Sequence, residues 1–168
     1  MKSKQKQEFL KIISEYQGIL HKINLLYFHN KTDREDNFQE MLYQLWKSYP
    51  KLRNKKSIGS WIYAVAINTS ISNLKKQQKP GNHDQFPEQA ETANFSDNLE
   101  YDESIQQLLK AIKKLHETDR SIMLLYLEEK SYAEISEILG ISASNVGVRI
   151  SRAKKTLKQY LKQYNYGK

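Results

Sequence analysis

Apolar residues recur at steps of three and four through most of this 168-residue chain, and that spacing commits it to helices. The first stripe runs through Phe9, Ile12, Ile13, Tyr16, Ile19, Leu20 and Ile23. The second runs through Phe38, Met41, Leu42, Leu45, Trp46 and Tyr49 and stops at Pro50, whose ring cannot continue a helix. Thr32, with Glu35 three residues on, has the pattern of a capping box, and Asp33, Glu35 and Asp36 then fall in a first turn where the helix dipole favours them. A third helix is predicted from Ser60 through Ile62, Val65, Ile67, Ile71 and Leu74 to Lys75 and Lys76. Later, Ile105, Leu108, Leu109, Ile112 and Leu115 predict a helix ending near His116. Asp119 is placed to cap the next, which carries Ile122, Leu124, Leu125 and Leu127. The chain is therefore expected to be all-α.

What interrupts the pattern divides the chain. Residues 80–104 hold no Lys or Arg and seven Asp or Glu, with Pro80, Gly81 and Pro87 and few aliphatics. They read as an acidic linker between a basic domain at 1–79 and a second at 105–168. The net +8 resolves into +9, −7 and +6 across these segments, and two basic modules point to a polyanionic partner. Other classes drop out. With no Cys there is no thiolate metal site or cysteine nucleophile, and the four His have no zinc-ligand spacing, so no metal and no cofactor is expected. The six Gly form no phosphate-binding loop and no nucleophile elbow, which leaves an enzyme reading unsupported. No run of eighteen apolar residues exists, and no signal-peptide core follows the basic start, so no membrane span and a cytoplasmic location are expected.

Two places carry the candidate chemistry. Around the third helix, Lys55 and Lys56 precede Trp61 and Tyr63, and Asn68 and Asn73 interrupt the apolar run. Aromatics beside cations stack on unpaired bases, and amides read base edges. Trp46, inside its stripe, reads as a core anchor, whereas Trp61 reads equally as an anchor or as a stacking platform. In the second half, Ile135, Ile138 and Leu139 define a short helix that stops at Gly140. A turn burying Ile141 follows, and Ser142 can cap a further helix, which together make a helix-turn-helix. On that last helix Val146, Ile150, Ala153, Leu157 and Leu161 make the inward stripe. Ser144, Asn145, Val148, Arg149, Ser151, Arg152 and Lys155 are left to face phosphates and base edges, where Arg suits guanine and Asn adenine.

These residues resemble a known family. Asp33-Arg34-Glu35-Asp36-Asn37-Phe38-Gln39-Glu40, continuing to Leu45-Trp46, resembles the D-x-x-D-x-x-Q-E signature of sigma factor region 2. Ser60-Trp61-Ile62-Tyr63 through Asn68 resembles the S-W-L-Y segment that follows it. Ser131-Tyr132-Ala133-Glu134-Ile135 through Arg149-Ile150-Ser151-Arg152-Ala153 resembles region 4. The order and spacing, with no room for further regions, resemble the extracytoplasmic-function (ECF) class of RNA polymerase sigma factors. The resemblance implies a non-catalytic subunit that brings core polymerase to promoters and assists melting. It implies contact with the β′ clamp helices through Asp33, Asp36, Gln39, Glu40 and Tyr43. Melted −10 DNA would lie near Lys55, Lys56, Trp61, Tyr63, Asn68, Asn73, Lys75 and Lys76. The −35 duplex would meet Ser142, Ser144, Asn145, Val148, Arg149, Ser151, Arg152 and Lys155, with a further touch on the β flap. Gly147 stands where the family usually has Lys, which predicts weaker or altered −35 recognition and leaves room for another DNA-binding recruiter beside an anti-sigma factor. The competing reading is an autonomous helix-turn-helix regulator, which leaves residues 33–46 and 60–76 without a task. A helical adaptor is more distant.

Overall fold

The computed structural model describes residues 2–78 and 102–166, and every regular element among them is helical. Two compact units divide the chain, Met1–Ala90 and Glu91–Lys168. Of the acidic segment 80–104, residues 80–101 lie outside the described residues, while Glu103 and Ser104 already belong to a helix.

The first unit packs α1 (Lys2–Tyr27), α2 (Lys31–Ser48) and α3 (Ile58–Gln77), with 3-10 turns at Tyr49–Lys51 and Lys55–Ser57 between α2 and α3. Leu20 and Ile23 of α1, Met41 and Leu45 of α2, and Ile62 and Ile67 of α3 are fully buried against one another's helices. Each such side chain contributes about 1.5–3 kcal/mol of transfer free energy. The start of α2 differs from expectation. Asn30, not Thr32, is the N-cap: its Oδ1 accepts the Asp33 N–H at 2.7 Å, and its Nδ2 donates to the Asp33 carboxylate at 2.7 Å. Asn caps at least as well as Thr, and both ends of its amide are used here, so Thr32 is left exposed within the first turn. The third helix likewise opens at Ile58, two residues before Ser60.

The second unit comprises α4 (Glu103–Lys113), α5 (Glu117–Leu127), α6 (Tyr132–Leu139) and α7 (Ala143–Tyr166). His116 caps α5, its Nδ1 accepting the Thr118 N–H at 3.4 Å, so the predicted Asp119 cap is wrong: Asp119 lies inside the first turn. Ser131 and Glu134 form a capping box at α6, Ser131 N–H donating to the Glu134 carboxylate at 2.7 Å and Glu134 N–H to Ser131 Oγ at 3.1 Å. The Ser131 backbone N–H, and after it the Ser131 hydroxyl beside the carboxylate, hold the Glu134 carboxyl below its ordinary pKa. Gly140 ends α6 in the left-handed region at φ 68°, where a side chain would be strained.

Glu129 is also left-handed, at φ 59°. It occupies the C′ position of a Schellman motif after α5, where Lys130 N–H donates to the Leu125 carbonyl and Glu129 N–H to that of Tyr126, both at 3.0 Å. A side chain there costs about 1–2 kcal/mol that glycine avoids in the folded state. Glu129→Gly is expected to stabilise the second unit by about 1 kcal/mol, read as a rise of roughly 4–8 °C in thermal melting followed by circular dichroism. An unchanged or lower melting temperature contradicts the assignment of strain.

Candidate functional site

The first candidate face is the solvent side of α2. Asp36, Gln39, Glu40 and Tyr43 are spaced three and four residues apart and share one side of the helix. Asp36 and Gln39 are exposed, and Tyr43 is 57% exposed. Glu40 is half-buried and takes a hydrogen bond from Gln44 Nε2 at 2.8 Å, which fixes its carboxylate. Asp33 stands apart, because the Asn30 cap engages both its backbone and its carboxylate. Trp46 extends this face. It is 40% exposed, its ring edge-on to Phe9 with centroids 5.0 Å apart, and so is not the core anchor its stripe suggested. Three residues after Tyr43, it lies at the edge of the stripe rather than its centre, a position readable from helical spacing.

The second face lies around the turn between α2 and α3 and along α3. Lys55 and Lys56 are exposed within the second 3-10 turn, which Asn54 caps by accepting the Lys56 N–H at 3.0 Å; the Lys55 ammonium is 3.8 Å from Glu8. Trp61 is half-buried, tilted against Tyr49 with centroids 6.2 Å apart, and leaves part of its ring open. Asn68, Lys75 and Lys76 are exposed. Tyr63 must be removed from the predicted set: it is 4% exposed, on the core side of α3 with Ile62 and Ala66, and cannot stack on a base. Asn73 is only partly accessible. Its Nδ2 donates to Asn37 Oδ1 at 2.8 Å, part of a polar network that periodicity alone does not reveal.

The third face is the outer side of α7. Ser142 caps it, accepting the Asn145 N–H at 3.1 Å, and Ser144, Asn145, Val148, Ser151, Arg152 and Lys155 are exposed. Of the opposite stripe, Val146, Ile150, Ala153 and Leu157 are buried, as expected, whereas Leu161, and Ile141 in the turn, are only half-buried. Arg149 requires a correction. Its guanidinium lies 3.0 Å from the Asp119 carboxylate on α5, so part of its donor set is spent inside the protein. Lys154 donates to the Tyr126 hydroxyl at 2.7 Å and sits over that ring, which raises its pKa and ties α7 to α5. Gly147 faces the Tyr132 ring, and an added Cβ would meet it at 3.3 Å. The glycine therefore seats an aromatic that is 45% exposed on the same side, and is more than an absent cation.

Residues 12–79 match the family described as Sigma-70 region 2, and residues 105–157 the one described as Sigma-70, region 4, together most of the chain. Over 162 residues the chain is 29% identical to RNA polymerase sigma factor SigV of Bacillus subtilis, spanning 94% of this chain and 95% of that protein. It is 27% identical over 164 residues to the ECF RNA polymerase sigma-E factor of Haemophilus influenzae, spanning 90% and 86%. Among solved structures, the sigma factor RpoE in its co-crystal with the anti-sigma factor NepR from Bartonella quintana is similar in fold. Its TM-score is 0.72 over 94% of this chain and 96% of that one, at 21% identity. No described helix is long and apolar enough to cross a membrane.

Proposed function

This chain belongs to the sigma-70 family, in its ECF group, and from that premise we propose that it directs core RNA polymerase to a set of promoters and assists their melting. One observation carries the division of labour: a single chain pairs an exposed acidic helix face in its region 2 match with an exposed basic face on a helix-turn-helix in its region 4 match. Carboxylates suit a basic protein surface and would repel DNA, which supports α2 docking on the β′ clamp helices through Asp36, Gln39, Glu40, Tyr43 and Trp46. Half-open Trp61 and exposed Asn68, Lys55, Lys56, Lys75 and Lys76 suit the unpaired −10 strand. Binding the unpaired state in preference to the duplex pulls the melting equilibrium toward the open form. The outer side of α7 suits the −35 major groove.

The protein adds specificity to a machine whose active site lies elsewhere, and it works in the cytoplasm with that machine. Its second class of partner is an anti-sigma factor or a DNA-bound recruiter that compensates for a glycine at position 147. The autonomous regulator leaves the acidic α2 face without a partner and is not favoured.

Run-off transcription separates the two. Added to core polymerase, the purified chain should yield a promoter-specific transcript that core alone does not make. A chain that binds a duplex site tightly by itself yet yields no transcript from any promoter in a genomic library would be a regulator instead.

A further inference from the structure

Three amides run in series through the interior of the first unit, and backbone carbonyls fix which way each one points. The Arg34 carbonyl can only accept, and it takes an Nδ2 hydrogen of Asn24 at 2.9 Å. Asn24 thus turns its Oδ1 toward Asn37, whose Nδ2 donates to it at 2.7 Å. The same Nδ2 donates to Ser70 Oγ at 2.9 Å. Ser70 gives its single proton to the Ala66 carbonyl at 2.8 Å, with the Met41 sulfur a weak competitor at 3.7 Å, so toward Asn37 it is an acceptor. With both hydrogens used, Asn37 presents Oδ1 to Asn73, which answers with Nδ2 at 2.8 Å. Asn24, Asn37 and Ser70 are buried, so turning any one amide over would set like groups against each other away from water.

The relay ends at the edge of a functional face. Asn73 follows exposed Asn68 by five residues on α3, is half-buried, and lies three residues before exposed Lys76. One of its two amide hydrogens is committed inward to Asn37 Oδ1, which fixes the orientation of the amide, and among the described residues nothing donates to its Oδ1. An outward donor could have bound a phosphate or a base. The outward Oδ1 repels phosphate and takes a hydrogen from a base, such as the exocyclic amine of adenine or cytosine, beside which the second Nδ2 hydrogen is left to pair with the same base edge.

We propose that Asn73 reads the exocyclic amino group of one promoter base, held as an acceptor by the Arg34 carbonyl through Asn24 and Asn37. Asn73 is the binding residue; Asn24 and Asn37 are positioning residues. The proposal rests on the reading that α3 meets melted −10 DNA.

The test uses the full chain with core polymerase on promoter templates randomised through the −10 element, followed by single-base analogues. Wild type should prefer an amino-bearing base over thymine at one position by about tenfold. Where that base is adenine, replacing it with purine, which lacks only the amine, should remove the preference; cytosine is checked with its amine-free pyrimidinone analogue. Asn73→Ala should flatten the profile at that position alone. Asn37→Leu, which frees the Asn73 amide to turn, should let thymine be accepted there; if Asn37→Leu does not fold, Asn73→Ala and the analogues still decide. Amine-free analogues tolerated throughout the element, or Asn73→Ala reducing transcription equally on every template, overturn the proposal. Those results leave the sigma reading standing, whereas a wild-type chain that makes no promoter-specific transcript overturns that reading instead.

Discussion

Replacing Asp36 and Glu40 together with Lys is expected to lower promoter-specific run-off transcription by at least about 100-fold while the protein stays folded. Asp36 is exposed, and Glu40 is half-buried with Gln44 as its hydrogen-bond partner, so the change takes no charge out of a buried pair. Surface substitutions of this kind are usually within about 0.5 kcal/mol each, with a small further cost for a cation near the N-terminal end of α2. Against a basic partner the sign of the contact inverts, and juxtaposed like charges cost several kcal/mol, where each 1.4 kcal/mol is roughly tenfold. Pull-down by core polymerase should fall in step with transcription. Binding of a −35 duplex should be unchanged, because the substituted helix lies in the other unit. Transcription within twofold of wild type would remove α2 from the polymerase contact.

Helices were legible because their stripes are long: Met41 and Leu45 of α2, and Val146, Ile150, Ala153 and Leu157 of α7, stand at steps of three and four and are buried. The helix-turn-helix was legible from Gly140, where the backbone demands a left-handed residue, and from the capping pattern of Ser142. What failed depended on groups distant in sequence. Tyr63 is buried where a stacking platform was expected, because a stripe cannot say which of its edges a neighbouring helix covers; α1 and α2 both pack on α3, and Tyr63 is 4% exposed, whereas Trp46 on α2 stays 40% exposed with an edge-on contact to Phe9. Asn37 sits two residues from Gln39 on the helix that carries the predicted docking motif. Its partners Asn24 and Ser70 are 13 and 33 residues away, and no local pattern announces them. The functional reading had a different origin. Charge alone argued only for a polyanion, and the assignment of separate tasks to the two modules came from motif resemblance, which the family matches now support.

Arg149 and Arg152, three residues apart on α7, should separate in experiment because the protein treats them differently. Arg152 is exposed, so Arg152→Ala should leave the melting temperature unchanged and weaken the specific −35 duplex by about 1–3 kcal/mol, roughly 5- to 150-fold, the range of a bidentate base contact. Arg149 is about a third exposed and held at 3.0 Å by Asp119, itself 29% exposed. A pair this open contributes about 0.2–1 kcal/mol after solvent screening, so Arg149→Ala and Asp119→Ala should each cost that much stability, and the double variant little more than either. Their DNA phenotypes should diverge. Asp119→Ala removes a negative charge beside the DNA face and frees the guanidinium, so affinity for non-specific duplex should rise while the specific-to-non-specific ratio shrinks. Arg149→Ala should lower both. The decisive comparison is between fixed-salt titrations on the promoter and on a scrambled duplex. If Asp119→Ala lowers both affinities in the same proportion as Arg149→Ala, then Asp119 does not hold Arg149 for readout and the pair only fastens α7 to α5.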